Sequence, residues 1–420
     1  MPSGLPKNGH PRQSAPDETV VTGVGLVTSI GTGKEIFWQN LLAGRCGIGP
    51  VEAFSTEHFP VHHGAEIKDF DANDYVNRLP AGKIGRASEL AIAAAHLALA
   101  DAHLSFTEAD LEQAGVVVGT TSGEPGVIER FDDLYIEGRI NQLSSDFIDN
   151  YPCNALAAHV ASELGLGGEV LTIPTACAAG NYAIAHASDL LQMRRARIML
   201  AGGADSFSRI TYTGFARLGA ISTDLCRPFD RNRKGMIPGE GAAMLVLERR
   251  ADAVARGARI YAVIAGYGLS CDAYHMTSAH PQGAGAARAM EMALRSSETL
   301  PEEVDYISAH GTGTPTNDRL ETIAIKRVFK DYAYRVPISS IKSMLGHAMG
   351  AASAIEAIAC VLAITYGYIP ATIHLETQDP ECDLDFIANC SREHKVNIAM
   401  NNAYAFGGNN SSVIFRRYEA

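Results

Sequence analysis

Short apolar runs and longer Ala-rich stretches alternate along most of the chain. The first run, Thr19–Thr28, is predicted to be a buried strand, and a helix is predicted at Lys34–Leu42. A second helix is predicted at Ser88–Ala102 and a Val-rich strand at Ala114–Gly119. This alternation predicts an α/β fold in which helices pack against a mostly buried sheet.

The later chain continues this pattern and echoes its beginning. Further strands are predicted at Glu169–Pro174, Arg197–Ala201, Ala242–Glu248, Arg259–Gly266, Val304–Ile307 and Val336–Ile341. The segment that ends at Ser270 resembles Val21–Thr28 in its apolar residues, paired glycines and final small polar residue. Since no Pro-, Gly- or Ser-rich linker separates two parts, two halves are expected to share one core.

Two kinds of local pattern add detail to this fold. The glycine runs Gly202-Gly203 and Gly407-Gly408 predict tight turns beside a site. The longest apolar stretch, from Gly350 to Pro370, is rich in Ala and is interrupted by Glu356. It is therefore predicted to be a buried core helix, and no membrane span is expected.

Composition and charge exclude several classes of protein. The chain has 420 residues, which favours two domains or one fold built from two halves. A net charge of −12 argues against nucleic-acid binding, which requires a basic surface. Eight dispersed Cys without a C-x-x-C pair indicate reduced cysteines in a cytoplasmic protein. Residues 1–18 are polar and contain Pro6, Pro11 and Pro16, so they are predicted to form a disordered tail rather than a signal peptide.

Cys177 is the candidate nucleophile. It follows a predicted strand in the segment Thr175–Asn181 and precedes an Ala-rich helix, so it is expected on a sharp turn at a helix N-terminus. A helix N-terminus favours thiolate over thiol. An inert buried thiol is the common alternative for any single Cys. That interpretation is applied to the remaining cysteines, which are Cys46, Cys153, Cys226, Cys271, Cys360, Cys382 and Cys390.

Two histidines occupy loops of the kind that carry function. His310 follows the predicted strand Val304–Ile307, and His347 follows the predicted strand Val336–Ile341. The adjacent pair His62-His63 is predicted to be exposed. Residue type alone would allow Cys177, His310 and His347 to bind a metal, but their spacing matches no metal motif, so no metal site is predicted.

These motifs resemble the elongating ketosynthases of fatty acid and polyketide synthesis, over roughly residues 19–418. The resemblance rests on Thr-Ala-Cys-Ala-Ala-Gly at 175–180, His-Gly-Thr-Gly-Thr-Pro at 310–315, Lys-Ser-Met-Leu-Gly-His at 342–347 and Ala-Phe-Gly-Gly-Asn-Asn at 405–410. It implies the thiolase fold, a five-layered αβαβα arrangement of two similar halves. The first half would span residues 19–265 and hold the nucleophile, and the second would span 266–420 and hold both histidines.

The resemblance also implies a role for each site residue. Cys177 would carry the acyl chain, and His310 and His347 would stabilise the enolate formed when a malonyl thioester loses CO₂. Lys342, paired with Glu356, would support the histidines, and Thr312 and Thr314 would bind the phosphopantetheine arm. Phe406 would act as a gate and, through its backbone N–H with that of Cys177, as part of the oxyanion hole. Asp318 and Glu321 would be supporting acidic residues.

No metal or redox cofactor is implied, because the substrates are carried on the phosphopantetheine of acyl-carrier protein. The resemblance implies a dimer, either with a second copy or with a chain-length-factor-like subunit. An acidic carrier protein would need a basic patch at the pocket mouth, for which Lys83, Arg86 and Arg217 are candidates. Each of them is equally well explained as an ordinary solvated charge.

Several features bear on the choice within and beyond this family. Ala405 and Asn409 stand where housekeeping fatty acid enzymes usually have Gly and Thr, and Pro315–Thr322 looks like type II polyketide ketosynthases, so a polyketide or polyene role is favoured. A non-catalytic chain-length-factor-like scaffold is one alternative, although such partners lack the Cys. A thiolase is another, but it needs a second catalytic Cys near residues 403–410, where this sequence has none.

Overall fold

The structure is a computed structural model that describes residues 17–419. Residues 1–16 of the predicted tail lie outside the described residues. The next two residues, which the prediction also placed in the tail, contact the folded part of the chain. Arg194 lies 3.1 Å from Asp17, and Glu18 accepts a hydrogen bond from Arg416 on the last strand. These ion pairs fix the approach to the first strand.

Strands and helices alternate as expected along the described residues. The strands are β1 (Thr19–Thr28), β2 (Gly31–Thr32), β3 (Gly49–Pro50), β4 (His63–Gly64), β5 (Ala114–Gly119), β6 (Val170–Ile173), β7 (Ile198–Asp205), β8 (Gly241–Arg249), β9 (Ala262–Cys271), β10 (Tyr306–Ser308), β11 (Ile338–Ser339), β12 (Tyr368–Ile369), β13 (Arg392–Glu393), β14 (Ile398–Tyr404) and β15 (Asn409–Arg416).

The α-helices are α1 (Lys34–Leu42), α2 (Arg86–Asp101), α3 (Glu108–Leu111), α4 (Pro125–Ile136), α5 (Asp146–Asn150), α6 (Ala155–Leu164), α7 (Ala179–Gln192), α8 (Arg209–Arg217), α9 (Arg250–Ala255), α10 (Ala284–Ser296), α11 (Pro315–Phe329), α12 (Lys342–Leu345) and α13 (Met349–Tyr366). Short 3₁₀ turns occur at Ala72–Asp74, Ile140–Gln142, Ala176–Ala178, Pro301–Glu303, Lys330–Tyr334 and Phe406–Gly408.

The strand order reveals two repeats of one topology. The large sheet runs β11-β10-β14-β15-β9-β1-β8-β7-β5-β6, with β2 beside β1. Counted within each half, both five-strand sets follow the order 3-2-4-5-1, and β1 and β9 are their first strands. The weak sequence echo therefore marks equivalent strands. β9 also spans residue 265, where the boundary between the halves is predicted.

The two repeats form the five layers of a thiolase fold. Helices α2 and α6 cover the outer face of the first five-strand set, which contains β1. Helices α10 and α11 cover the outer face of the second set, which contains β9. Helices α7 and α13 form the central layer, because each contacts strands of both halves and also the other helix. The sequence prediction of this fold class is confirmed.

Helix α13 corresponds to the long apolar stretch predicted to lie in the core. It is long and apolar enough to cross a membrane, yet 89% of it is buried inside the protein. Its N-terminal end packs on the ends of the first-half strands. The packing is close, because a Cβ added to Gly203 would lie only 2.6 Å from the carbonyl oxygen of Gly350. The core therefore explains its hydrophobicity.

The prediction of a tight turn at Gly202-Gly203 is wrong. Strand β7 continues through both glycines to Asp205, in register with Gly241–Met244 of β8. These glycines serve close packing instead, because a Cβ at Gly202 would lie 1.8 Å from the carbonyl oxygen of Ala243. The prediction at Gly407-Gly408 is confirmed, since both residues have positive φ.

Candidate active site

The turn between β6 and α7 places Cys177 at the junction of the two halves. Cys177 lies in the 3₁₀ turn Ala176–Ala178, and α7 begins directly after this turn. The preceding residue, Ala176, has φ 52°, a value that is uncommon outside glycine. The tight neighbouring helix α13 limits side-chain size here, since a Cβ at Gly180 would lie 2.6 Å from the backbone nitrogen of Ala354. The sharp turn predicted at Cys177 is therefore present.

His347 occupies the equivalent turn of the second repeat. It lies between the third strand, β11, and the central helix α13, as Cys177 lies between β6 and α7. Its backbone bridges to the first half, because its N–H donates to the carbonyl of Ile237 at 2.7 Å and its carbonyl accepts from Gly239 at 2.9 Å. The turn also contains a strained residue, Met349, with φ 49°. Both turns thus project one side chain toward the same space.

His310 joins them from the end of β10. Its backbone N–H donates to Glu321 at 2.8 Å, and that of Gly311 donates to the other oxygen of the same carboxylate at 2.8 Å. The His310 ring lies 5.5 Å from the His347 ring and 5.7 Å from the Tyr404 ring, edge-on in both cases. Glu321 therefore holds the loop, as expected of a supporting residue.

The three predicted side chains meet in one buried cluster. One ligand atom each of Cys177, His310 and His347 lies within 4.8 Å of the other two, and all three residues are buried. Their proximity comes from the fold, since 170 residues separate Cys177 from His347. The same donors suit zinc, so the prediction of a metal-free site is neither supported nor contradicted by their spacing.

Burial keeps both imidazoles neutral. It lowers the pKa of His310 well below 6.5, and Lys342 and His347 lower it further. Burial and the charge of Lys342 have the same effect on the pKa of His347. Neutral imidazole carries one N–H donor. The pair can therefore offer two N–H groups to an oxygen that gains negative charge.

Burial of Cys177 acts against the predicted preference for thiolate. Burial raises the pKa of this thiol to about 12, although the positive charge of Lys342 opposes the rise. The negative charges of Asp205 and Glu356 add to it. Removal from water thus opposes the effect of the helix N-terminus. A thiol with a raised pKa would have to pass its proton to a neighbouring base during reaction.

Lys342 and Glu356 form the buried ion pair predicted from sequence. The Lys342 ammonium donates to Glu356 Oε1 and lies 3.5 Å from His310 Nδ1. Both side chains are almost fully buried. Burial raises the pKa of Glu356 to about 7, against the opposing effect of Lys342. The pair therefore places a positive charge directly behind His310.

Breaking this pair is expected to destabilise the fold. In Glu356→Ala, Lys342 stays buried without its counter-ion, which typically costs about 3–5 kcal/mol. Thermal unfolding monitored by circular dichroism would show a clearly lowered midpoint. Glu52→Gln is the matched control, because it breaks the exposed pair with Lys68, and such pairs are worth about 0–1 kcal/mol. Equal midpoints for both variants would contradict a structural role for the buried pair.

Asp318 and the two threonines shape the approach to His310. Asp318 is fully buried and accepts from Gly313 N at 3.2 Å and Phe229 N at 2.9 Å. Thr314 caps α11, and its hydroxyl lies 2.9 Å from that of Thr312. Both threonines line the pocket that contains the cluster. Asp318 thus supports the loop while the threonines face the cavity.

Phe406 stands at the pocket wall on a glycine turn. Its ring is 40% exposed and lies 5.6 Å from that of Phe215. The turn is fastened to a neighbouring loop, since Gly407 N donates to Met276 O at 2.7 Å. Ala405 is extended, with φ −129°, so its Cβ causes no strain in this conformation. An aromatic side chain on such a turn is suited to act as a gate.

The pocket has a volume of about 190 Å³ and contains residues that sequence reasoning missed. Six of the predicted residues line it, namely Cys177, His310, His347, Thr312, Thr314 and Phe406. Lys342, Glu356, Asp318 and Glu321 lie behind this wall. The missed lining residues include Phe215, Met236, Asp272 and Tyr404. Only their place in the fold identifies them, because none belongs to a motif.

Three predictions about charged and polar residues need correction. Arg86 is held by the buried Glu240, with Nε and Nη2 each 2.8 Å from a carboxylate oxygen, so it is not a free basic group. Lys83 and Arg217 are exposed, and His62 is exposed as predicted, whereas His63 is half-buried in β4. Four cysteines assigned to the core are exposed because they lie outside the packed faces, namely Cys46, Cys153, Cys271 and Cys390.

Comparison with known proteins agrees with this site. Residues 17–253 match the beta-ketoacyl synthase N-terminal domain, and residues 261–376 match its C-terminal domain. A 3-oxoacyl-[acyl-carrier-protein] synthase 2 from Synechocystis sp. is 40% identical over 95% of this chain and 98% of its own. These matches define an acyl-transferring condensing enzyme. The chain belongs to the beta-ketoacyl synthase family.

Two solved structures extend the comparison. The ishigamide ketosynthase/chain length factor is 43% identical, with a TM-score of 0.92 over 96% of this chain and 99% of that one. The type II PKS ketosynthase solved with its acyl-carrier protein as AntDE:AntF is 33% identical, with a TM-score of 0.88 over 96% and 99%. The similarity to the 3-oxoacyl-[acyl-carrier-protein] synthase 2 and the similarity to the type II PKS ketosynthase thus both extend over nearly the whole chain.

Proposed function

We propose that this condensing enzyme extends an acyl chain held on Cys177 by decarboxylative Claisen condensation with malonyl-acyl-carrier protein, in type II polyketide or polyene synthesis. The observation that carries the proposal is the buried cluster of Cys177, His310 and His347, whose functional atoms lie within 4.8 Å of one another. A carbon–carbon bond needs an acyl electrophile and a carbanion. The cluster offers a group suited to each.

The first half of the reaction loads Cys177. Its sulfur attacks the thioester carbonyl of the acyl-carrier protein, and the thiol proton passes to an adjacent neutral imidazole. The bond between the acyl carbon and the carrier sulfur then breaks, and the departing thiolate takes up that proton. The backbone N–H groups of Cys177 and Phe406 would stabilise the tetrahedral oxyanion. The raised pKa of the thiol makes this proton transfer necessary.

The second half forms the carbon–carbon bond. The malonyl carboxylate leaves as CO₂, and its bonding electrons pass to the α-carbon and the thioester oxygen. His310 and His347 donate N–H groups to that oxygen. The α-carbon attacks the Cys177 thioester, whose carbon–sulfur bond breaks. The β-ketoacyl product stays on the carrier protein, and the Cys177 thiolate regains a proton from solvent.

The remaining predicted residues support these steps. Burial keeps His310 neutral, and the charge of Lys342, whose ammonium lies 3.5 Å from His310 Nδ1, adds to this effect. Thr312 and Thr314 would hold the phosphopantetheine arm from the pocket wall. Phe406 would separate loading from condensation by moving with its glycine turn.

No metal or redox cofactor takes part in this proposal. The charge that a metal would stabilise is assigned to two neutral imidazoles and two backbone N–H groups. We therefore expect extensive dialysis against a chelator to leave the condensation rate unchanged. Rates with and without added divalent ions would be compared on one preparation. A loss of activity that is restored by one metal would contradict the assignment.

The proposed partners are acyl-carrier protein and a second subunit, either another copy or a chain-length-factor-like protein. Strand β6, which leads to Cys177, forms the end of the described sheet. Helices α4 and α5 and the residue after α5 also expose apolar side chains, namely Tyr135, Ile136, Ile148 and Tyr151. The similarity to the ishigamide ketosynthase/chain length factor supports a heterodimer, and the similarity to the type II PKS ketosynthase supports the polyketide role.

Intact-mass analysis tests the proposal. The protein is mixed with acyl-carrier protein bearing a short acyl group, and malonyl-carrier protein is then added. An acyl adduct on the protein followed by a lengthened β-ketoacyl carrier would support it. Loading without product would indicate a missing subunit. No loading with any starter would favour the non-catalytic scaffold, which is the second candidate.

A further inference from the structure

Asp205 is a fully buried carboxylate at the end of β7 that no step above uses. It accepts four hydrogen bonds within the described residues. A buried carboxylate is retained only when its charge or its hydrogen bonds are satisfied. Its partners come from two places, the turn after β5 and the N-terminus of α13.

On the second-half side, Asp205 holds the start of the helix that follows His347. Oδ2 accepts the backbone N–H of Gly350 at 2.6 Å. Ala348, at the N-cap position, provides no side-chain hydrogen bond to the helix. Asp205 therefore acts as the cap that α13 lacks. Gly350 lies three residues after His347, so this bond anchors the turn carrying the imidazole.

On the first-half side, Asp205 holds the segment beside Cys177. Oδ2 also accepts from Thr121 N at 2.8 Å, and Oδ1 accepts from the Thr120 hydroxyl at 2.8 Å and Ser122 N at 3.1 Å. Thr120 N in turn donates to the carbonyl of Ile173 at 3.1 Å. Ile173 is the last residue of the strand that leads to the nucleophile.

We propose that Asp205 is a positioning residue that fixes His347 relative to Cys177 by clamping the start of α13 to the turn after β5, which in turn holds the end of β6 ahead of Cys177. The inference rests on the proposed function and assigns it a residue outside the reacting groups. One carboxylate serves both halves because Oδ2 accepts from Gly350 and from Thr121, while Oδ1 accepts from the turn after β5 alone. Loss of the clamp would let the imidazole and the sulfur drift apart, and a displacement of 1 Å can cost about 10²-fold in rate.

The negative charge of Asp205 predicts a second effect, on the reactivity of Cys177, which is opposite in direction to the effect on condensation. The charged groups that influence Cys177 are Lys342, Asp205 and Glu356, beside the neutral His310 and His347. Asp205 raises the pKa of the thiol. Its neutralisation therefore makes Cys177 easier to ionise. A variant that lacks only this charge and one of the two acceptor oxygens should condense more slowly but alkylate faster.

The test is Asp205→Asn, in which an NH₂ group replaces one acceptor oxygen without a change in size. We expect the condensation rate to fall about tenfold or more. We also expect iodoacetamide to modify Cys177 faster at fixed pH. Modification is followed by mass spectrometry of the peptide containing Cys177, because exposed cysteines react as well. Partial unfolding would also expose Cys177 and speed its alkylation, so the buried thiols of Cys226 and Cys360 are followed in the same digest and should stay as unreactive as in the wild type.

Glu163→Gln is the matched control. Glu163 is likewise buried and accepts backbone N–H groups from Asn77, Arg78 and Leu79, but it lies on the outer helix α6. It should leave both rates unchanged. Thr120→Val is a milder second variant, since it removes one donor to Asp205 at equal volume, and condensation should fall about threefold.

Two results would overturn the proposal. The first is condensation within twofold of wild type in Asp205→Asn, or in Thr120→Val if the former does not fold. The second is Cys177 alkylation that slows in parallel with condensation. Loading and condensation by the wild-type protein are measured separately, so their failure would count against the proposed function and not against the clamp.

Discussion

Replacement of Cys177 by alanine is expected to abolish acyl loading and to lower condensation by about 10³-fold or more. The sulfur is the atom that would carry the acyl group, and its two imidazole neighbours offer no equivalent nucleophile in the pocket. Because alanine is smaller and the turn is held by backbone packing, the fold should survive. Intact mass after incubation with acyl-carrier protein measures the loading directly.

Cys271→Ala is the appropriate control for this experiment. Cys271 is exposed and its sulfur lies 3.7 Å from the carbonyl oxygen of Gly407, next to the turn of Phe406. It should load as wild type does. If Cys177→Ala still acquires a stable acyl mass while Cys271→Ala does not, the nucleophile has been misassigned. If neither variant loses the adduct, acylation occurs elsewhere on the chain.

The second large effect is expected from His347→Ala, which should lower decarboxylation of malonyl-carrier protein by about 10²–10³-fold. One of the two N–H donors to the enolate oxygen would be lost. Loading of Cys177 should be affected less, because its oxyanion is assigned to backbone N–H groups. Release of CO₂ and acyl mass, measured on the same sample, separate the two steps.

His96→Ala is the matched control for His347→Ala. His96 is half-buried on α2, and its Nε2 lies 4.0 Å from Glu163. Burial lowers its pKa, as it does for His347. It lies on the outer helix layer, so CO₂ release should stay at the wild-type rate. Equal losses of loading and of CO₂ release in His347→Ala would contradict a specific role in decarboxylation.

Much of the fold could be predicted because local patterns and tertiary packing agree. The predicted bounds of β1, α1 and β5 match the structure, since these elements are bounded by turns and bury every strand residue or one helix face. The predicted strand Val336–Ile341 shortens to Ile338–Ser339. The residues that follow Ser339 leave the strand early and lead into the short helix that carries Lys342.

The site residues could be predicted from motifs, but their electrostatics could not. Cys177, His310 and His347 stand in strand-end loops that sequence patterns identify. The pKa of Cys177 depends on burial by the central helices, which no local pattern reveals. Arg86 looked like a docking charge because its partner, Glu240, is 154 residues away in sequence. Long-range pairing and desolvation are properties of the assembled core.

The equivalence of the turns that carry Cys177 and His347 has a consequence for how this enzyme becomes active. Each turn belongs to a different repeat, so neither repeat holds both the electrophile carrier and the charge stabiliser. A half that folded by itself would contain its five strands but only part of the Cys177, His310 and His347 cluster. The complete cluster thus forms only when the two halves dock, because Cys177 belongs to the first half and His310 and His347 belong to the second.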